Sequence, residues 1–252
     1  MITDWHAHLN FLPSKEEQAS FLKWAAKLGI DKVCMSNLAG SQPCSLEDFT
    51  KCNREMADFF SGHRDQVLAY CYTNPSYEEK AVEEFESCIR ERGFLGLKLY
   101  TDCHCLDPRV DPLIEKSIEL GVPVLWHATQ TPRRYMPPPL TTSNAAEIAE
   151  LGRRFPEAML ILAHIGGGGD WEWGIKAVRK VANVFVDTSG SGTEIGMIEM
   201  AVQELGADRM LFGTDNQLDV GISKIYAADI SENERKRILE ENGEGILRRR
   251  RV

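Results

Sequence analysis

Eight short apolar segments alternate with amphipathic segments along the whole chain, and this alternation limits the possible fold more than any other feature of the sequence. Several apolar segments are continuous runs of Val, Ile, Leu and Phe, which are typical of parallel strands buried on both faces. The predicted strands are Ile2–His6, Lys32–Ser36, Val67–Tyr72, Leu95–Tyr100, Pro123–His127, Met159–His164, Val184–Asp187 and Met210–Phe212.

The segments between these strands carry apolar residues at helical spacing. Ser14 with Glu17, and Ser231 with Glu234, form capping-box patterns that mark two helix starts. Glycines follow four of the helices as stop signals, at Gly29, Gly93, Gly121 and Gly206. The predicted helices are Ser14–Leu28, Leu46–Phe60, Tyr77–Arg92, Pro112–Leu120, Asn144–Phe155, Trp171–Val181, Thr193–Leu205 and Ser231–Leu247.

Eight strand–helix units in 252 residues predict an α/β protein with one domain, a (β/α)₈ TIM barrel that spans residues 1–252. A doubly wound parallel sheet is the alternative, but that fold usually has a glycine-rich phosphate loop after its first strand. The first strand of this chain ends in histidines instead. The barrel is therefore the favoured fold.

The composition argues against some classes of partner. A nucleic-acid-binding protein usually has a basic surface, whereas this chain has a formal net charge of -9. The sequence contains no stretch of about twenty apolar residues and no pattern of a signal peptide. The seven cysteines have no framework spacing. We therefore expect a cytoplasmic protein with free thiols and without a nucleic-acid or membrane partner.

Polar side chains that suit metal binding stand at the ends of several predicted strands. Alternate side chains share one face of a strand, so His6 and His8 of the first strand point in the same direction. The carboxyl ends of barrel strands meet at one mouth, which brings residues from distant positions together. The further candidates there are Lys98, His127, His164 and Asp215. Imidazole and carboxylate ligands suit zinc or a similar divalent ion.

Five motifs in a fixed order make the chain similar to a known family. They are His6-Ala7-His8, His164-Ile165-Gly166-Gly167, Asn183-Val184-Phe185-Val186-Asp187-Thr188-Ser189-Gly190, Gly206-Ala207-Asp208-Arg209-Met210-Leu211-Phe212-Gly213-Thr214-Asp215, and Ile238-Leu239-Glu240-Glu241-Asn242. With these motifs the sequence resembles the amidohydrolase superfamily over nearly its whole length. It is most similar to the amidohydrolase-related branch, which includes metal-dependent decarboxylases, hydratases and hydrolases of carboxylic acids.

The resemblance implies that His6, His8, His127 and Asp215 bind one catalytic metal ion. Zinc is the expected ion, with manganese or another divalent ion as the alternative. Asp215 would also accept the proton of the attacking water. His164 would polarise the substrate or move a proton.

Lys98 has two implied roles that the sequence does not separate, and it could instead only neutralise the carboxylates around it. In binuclear relatives a lysine of the fourth strand is carboxylated and bridges two metal ions, and His164 would then be a ligand as well. In the more similar branch the lysine is unmodified, and there Lys98 would bind a substrate carboxylate. Tyr100 stands where many relatives have histidine.

The expected activity is hydrolysis of an amide, ester or lactone in a small anionic substrate by metal-activated water. A metal-dependent decarboxylase or hydratase would use the same residues, and rich anion binding in the pocket would favour that lyase. A barrel without catalysis that binds a partner is a third possibility. A deoxyribonuclease is a fourth, but that branch has a glutamate where Lys98 stands. A homodimer is possible by analogy with relatives.

Several other polar residues have structural as well as functional interpretations. Asp4 is expected to orient a histidine or cap the first strand. Asp187 and Ser189 are expected to hold the seventh-strand loop, although Asp187 could reach the pocket. Arg209 is expected to pair with a carboxylate or a helix end. Cys103-His104-Cys105 lacks a second cluster at zinc-finger spacing, although His104 could line the pocket.

The loops of the fifth and sixth strands are the other candidates for substrate contacts. The proline-rich segment Thr129–Thr142 would shape a pocket or a subunit contact. Within it, Arg133-Arg134-Tyr135 could bind an anion or remain solvated. The glycine run Gly166–Gly169 could cradle an anion with backbone N–H groups or allow close packing.

Overall fold

The computed structural model describes residues 1–136 and 141–251, which contain ten β-strands. In chain order they are β1 (Ile2–His8), β2 (Ile30–Ser36), β3 (Val67–Tyr72), β4 (Gly96–Leu99), β5 (Val124–Trp126), β6 (Ala128–Thr129), β7 (Ser143–Asn144), β8 (Leu160–Leu162), β9 (Val184–Asp187) and β10 (Met210–Leu211).

Eight of these strands form one parallel sheet in the order β1-β2-β3-β4-β5-β8-β9-β10, while β6 and β7 pair only with each other. Two backbone hydrogen bonds connect the first and last strands of the sheet. Trp5 N–H donates to Phe212 O at 2.8 Å, and Asp215 N–H donates to His6 O at 2.7 Å. The sheet therefore closes into a barrel, and the predicted (β/α)₈ fold is confirmed.

Helices follow the strands and cover the outside of the barrel. They are α1 (Lys15–Lys27), α2 (Leu46–Gly62), α3 (Glu79–Arg90), α4 (Asp111–Leu120), α5 (Ala145–Arg154), α6 (Trp171–Val178), α7 (Met197–Leu205), α8 (Leu218–Ala227), α9 (Glu232–Lys236) and α10 (Asn242–Leu247). A π-helical turn, Arg237–Glu241, joins α9 to α10. The alternation thus predicted α1 to α7, and it predicted α9, the π-helical turn and α10 together as one helix, but it missed α8 between β10 and that final segment.

Short-range sequence signals set several helix boundaries. Ser14 and Glu17 form the predicted capping box at the start of α1, and Ser231 and Glu234 form the one at α9. Each satisfies two backbone donors that the first helical turn would otherwise leave unpaired. Gly121 ends α4 with φ 67°, a left-handed conformation that glycine adopts without steric cost.

Apolar side chains fill the barrel below its carboxyl-terminal mouth. Tyr70, Leu125, Ile161 and Leu211 come from four strands and pack with Trp5 in a cluster separate from the core under the helices. Candidate site residues follow these apolar residues towards the carboxyl ends of the strands: His127 follows Leu125, His164 follows Ile161 and Asp215 follows Leu211.

Arg209 closes the opposite end of the barrel by binding backbone carbonyls. It is buried, and its guanidinium donates to Val178 O at 2.9 Å, Arg179 O at 2.9 Å and Val184 O at 2.8 Å. Two of these carbonyls lie at the end of α6, so Arg209 binds the end of a helix, one of its two expected partners.

Replacing Arg209 with methionine is expected to lower the free energy of unfolding by about 2–4 kcal/mol, because buried carbonyls lose charged donors. Urea unfolding measures this change. The exposed Arg179 offers a matched control, because Arg179→Met is expected to change stability by about 0.5 kcal/mol or less. An equal, small effect of both substitutions would contradict the assigned role.

Within Thr129–Thr142, Arg133–Tyr135 forms a short 3₁₀ turn, whereas residues 137–140, with the prolines at 137, 138 and 139, lie outside the described residues.

In the described part of the chain, no helix has both the length and the apolar character needed to cross a bilayer. All seven cysteines are buried free thiols.

Candidate metal centre at the mouth of the barrel

The predicted polar residues form one connected cluster at the carboxyl ends of the strands. Lys98 Nζ lies 3.0 Å from His6 Nε2, and His127 Nδ1 lies 2.9 Å from His164 Nε2. Asp215 links the two halves, because its Oδ1 lies 3.3 Å from His8 Nε2 and its Oδ2 lies 3.7 Å from His164 Nδ1. The fold therefore brings all six sequence-predicted site residues together.

Three of these residues offer ligand atoms to a common point. The Nε2 atoms of His6 and His8 are 3.0 Å apart, and Asp215 Oδ1 lies 3.9 Å from the first and 3.3 Å from the second. Asp215 Oδ1 is buried and accepts no hydrogen bond from any residue that the structure describes. Two imidazole nitrogens and a carboxylate oxygen with an unused lone pair are a suitable donor set for zinc or manganese.

Hydrogen bonds hold both first-strand histidines through their second ring nitrogen. His6 Nδ1 donates to Asp187 Oδ2 at 2.8 Å, which leaves Nε2 without a proton. His8 Nδ1 lies 2.8 Å from Ser36 Oγ. A carboxylate or hydroxyl behind a histidine ligand fixes the ring and increases its basicity. The sequence pattern predicts loop support or a pocket contact for Asp187, but nothing in it identifies Ser36.

Two of the site residues have left-handed backbone conformations. His164 has φ 66° and Asp215 has φ 52°, values that non-glycine residues seldom adopt and that cost about 1–3 kcal/mol each. Their backbone amides are held in place, since His164 N–H donates to Asp187 Oδ1 at 3.0 Å and Asp215 N–H donates to His6 O. Such conformations aim the side chains of both residues into the mouth.

Burial and Lys98 together keep the site histidines neutral. Burial lowers the pKa of His6 and of His8 well below the ordinary value, and the Lys98 ammonium lowers both further. Burial also lowers the pKa of Lys98 to about 8, although Asp215 and Asp187 oppose this shift. Neutral imidazoles are the form that binds metal ions.

Asp4 caps the strand and the loop after β10. Its carboxylate accepts from His6 N–H at 3.0 Å, from Thr214 N–H at 2.9 Å and from the Thr214 hydroxyl at 2.6 Å. Burial raises the pKa of Asp4 to about 7, and these hydrogen bonds oppose the shift. Asp4 thus fits the expected capping role, and its oxygens are already engaged by donors.

His127 lies outside the three-ligand group in this arrangement. It is half-buried, its ring packs against Tyr100 with centroids 4.4 Å apart, and its Nδ1 contacts His164. Burial lowers the pKa of His127 to about 3. Its participation as a fourth ligand stays a prediction.

A family model described as amidohydrolase matches residues 45–249, which is most of the chain. The chain belongs to the amidohydrolase family. The resemblance inferred from the five motifs is thereby confirmed. His6 and His8 precede the matched region, so their assignment rests on the motif itself and on the geometry described above.

One curated relative of this amidohydrolase is a dihydroorotase from Yersinia pseudotuberculosis. The two are 26% identical over 173 residues, which are 64% of this chain and 47% of that protein. The chain therefore spans about half the length of the curated relatives it matches.

Solved structures cover more of the amidohydrolase chain. A 2,6-dihydroxybenzoate decarboxylase from Rhizobium has a TM-score of 0.76 and 20% sequence identity over 98% of both chains. A dihydroxybenzoic acid decarboxylase from Polaromonas, solved with bound manganese and the inhibitor 2-nitroresorcinol, has a TM-score of 0.72 and 19% identity over 98% of this chain and 96% of that one. These likenesses show a shared barrel fold.

Other candidate residues of the amidohydrolase have structural partners away from the three-ligand group. Arg133 binds the Glu147 carboxylate, with Nε 2.7 Å from Oε1, and lies 2.7 Å from His104 Nε2. Cys103 and Cys105 are buried thiols.

Asn216 is a further residue of the site that the sequence motifs do not identify. Its Oδ1 accepts from His8 N–H at 2.7 Å, and its Nδ2 donates to His8 O at 2.9 Å. Its position beside Asp215 was the only available signal.

Proposed function

We propose that this amidohydrolase is a metal-dependent hydrolase that cleaves an amide, ester or lactone of a small molecule. The observation that carries the proposal is the His6, His8 and Asp215 group, with an unpartnered carboxylate oxygen facing two neutral imidazoles. A bound divalent ion would polarise a substrate carbonyl and lower the pKa of a water molecule. Zinc is the first candidate ion, and the manganese in the Polaromonas relative makes manganese the second.

Asp215 is the proposed general base for the attacking water. Its side chain is 23% exposed, whereas the site histidines around it are 0–7% exposed, so water reaches the cluster at this carboxylate. Burial raises the pKa of Asp215 above its ordinary value, with Lys98 opposing the shift, which makes the carboxylate a stronger base. His164 Nδ1, 3.7 Å from Asp215 Oδ2, is placed to assist the proton transfer.

Lys98 is proposed to stay unmodified and to bind or balance negative charge. The buried ammonium contacts His6 and lowers the cost of placing the Asp215 and Asp187 carboxylates in the same apolar surroundings. A carboxylate on the substrate would contact the Lys98 ammonium at the bottom of the site. If Lys98 were carboxylated instead, two metal ions per chain would be expected.

A metal-dependent decarboxylase is the second candidate, since the decarboxylase structures match this chain almost from end to end. Such a reaction needs cationic groups to hold the substrate carboxylate. Of the two loop arginines, Arg133 binds Glu147 and Arg134 lies over the Tyr135 ring, 4.7 Å from its centroid. Neither guanidinium contacts the metal-binding group, so of these three cations Lys98 is the one beside it, and decarboxylation stays the second candidate.

A paired substrate screen tests this proposal. The full chain is depleted of metal by a chelator, reconstituted with zinc or manganese, and offered small amides, esters and lactones while formation of the carboxylic acid product is measured. Carbon dioxide release from hydroxybenzoates is measured in parallel. Hydrolysis that disappears with the metal and returns with it supports the proposal. Carbon dioxide release without hydrolysis would replace it with the lyase, and inactivity in both assays would favour a binding protein.

A further inference from the structure

Ser189 lies at the centre of a hydrogen-bond network that the proposed reaction does not use. It follows β9 and is fully buried. Its hydroxyl oxygen is 2.5 Å from Asp187 Oδ1, 3.1 Å from His164 Nδ1 and 3.2 Å from His6 Nδ1. A single hydroxyl group therefore contacts a carboxylate and two imidazoles, and each of these groups belongs to the metal centre or supports it.

The direction of these hydrogen bonds follows from the chemistry of their partners. A carboxylate oxygen accepts hydrogen bonds, so the only proton of the Ser189 hydroxyl is donated to Asp187, its nearest partner. The hydroxyl oxygen can then only accept from His164, whose Nδ1 must carry a proton. His6 Nδ1, which donates to Asp187 Oδ2, fits the same pattern.

The position of the proton on His164 also determines the position of the proton on His127. With its proton on Nδ1, a neutral His164 has a lone pair on Nε2, and the atom 2.9 Å away is His127 Nδ1. That hydrogen bond requires a proton on His127 Nδ1 as well. The Nε2 atom of His127 is then unprotonated, which is the form in which a histidine nitrogen can bind a metal ion.

We propose that Ser189 is a positioning residue that fixes the tautomers of His164 and His127. A one-way chain of hydrogen bonds runs from His127 through His164 and Ser189 to Asp187. One carboxylate thus determines the protonated nitrogen of three imidazoles, directly at His6 and through Ser189 at the other two.

This arrangement has a consequence for the metal centre that rests on the proposed function. The lone pair on His127 Nε2 keeps that ring ready as a fourth ligand. Ser189 holds the His164 Nδ1–H group at 3.7 Å from Asp215 Oδ2, so the ring keeps its place beside the proposed base. Without the Ser189 hydroxyl, His164 Nδ1 loses the acceptor that holds its proton, and the Nε2–H form of that ring gains population.

A simpler role for Ser189 is to hold the loop after β9. Its backbone N–H also donates to Asp187 Oδ1, at 2.9 Å, and an alanine would keep that bond. The two roles therefore differ in the side chain alone: loop support predicts no change in the histidine tautomers of a Ser189→Ala variant.

Nitrogen-15 NMR of the histidine rings tests the proposal on the full chain, with and without zinc. The chain has six histidines, and His127→Gln and His164→Gln variants assign the two rings in question. In the wild-type protein both rings are expected in the Nδ1–H form. In Ser189→Ala the ratio of Nδ1–H to Nε2–H at His164 is expected to fall at least tenfold. The exposed Ser191 provides the control, since Ser191→Ala is expected to leave both rings unchanged.

Two results would overturn the proposal: an Nε2–H form of His164 or His127 in the wild-type protein, or unchanged tautomers in a folded Ser189→Ala variant. The wild-type measurement decides even if that variant does not fold. Because the measurement needs no substrate, a failure to find hydrolysis leaves it intact, and a wrong tautomer leaves the hydrolase proposal standing.

Discussion

Replacing Asp215 with asparagine is expected to lower kcat by about a thousandfold or more on any substrate that the protein hydrolyses. The amide keeps the size of the side chain and one oxygen, but it cannot accept the proton of the attacking water at neutral pH. Loss of a positioned general base typically costs about 10²–10⁴ in rate. The carboxylate also contributes an anionic ligand, so weaker metal binding adds to the loss.

The measurement is kcat at saturating metal, together with the metal content of each protein sample. Asp219→Asn is the matched control, because Asp219 is an exposed aspartate four residues further along the same segment. It is expected to retain full activity within a factor of about two. An Asp215→Asn variant within tenfold of wild type at full metal occupancy would show that another group takes the proton.

Replacing Asp187 with alanine is expected to lower the free energy of unfolding by about 3–5 kcal/mol, the usual cost of removing one partner from a buried charged network. Asp187 is fully buried and accepts from His6 Nδ1, from the Ser189 hydroxyl and from the backbone N–H groups of His164 and Ser189. Alanine leaves all of these donors without a partner in an apolar interior.

Urea unfolding of the metal-free protein measures this loss of stability, and metal titration measures the loss of metal affinity. The affinity for zinc is expected to fall about 10–100-fold, because the His6 ring loses the group that orients it. Asp187→Asn keeps one acceptor oxygen and is expected to cost about half as much stability. A loss below about 1 kcal/mol in the alanine variant would contradict the central role of Asp187.

The barrel could be predicted from the sequence because short strands alternate with helices along the whole chain, and because several strands are buried on both faces and are therefore continuously apolar. The same signal does not predict α8, although Leu218, Ile222 and Ile225 repeat at helical spacing. The expected alternation allows one helix after each strand, and the stronger pattern of residues 231–247 was assigned to that place. A second helix in the last unit carries no marker that separates it from a loop.

The composition of the site could also be predicted, but its hydrogen-bond network could not. His6 and His8 share a face because a strand has a period of two, and this follows from the sequence alone. The link from His164 to Ser189 depends on a left-handed backbone at a non-glycine residue, which no local pattern indicates. Only the closed barrel brings Asp187 within 2.8 Å of His6, 181 positions away in the chain.

The metal content per chain tests directly whether the group of His6, His8 and Asp215 binds a metal ion. Elemental analysis compares the wild-type protein, purified without chelator, with a His6→Ala/His8→Ala variant. A His63→Ala/His104→Ala variant removes two histidines outside the three-ligand group as the matched control. About one zinc or manganese ion per chain is expected in the wild-type and control proteins, and almost none in the His6→Ala/His8→Ala variant. Two ions per chain would contradict the unmodified Lys98, and no metal even after incubation with zinc and manganese would contradict metal dependence altogether.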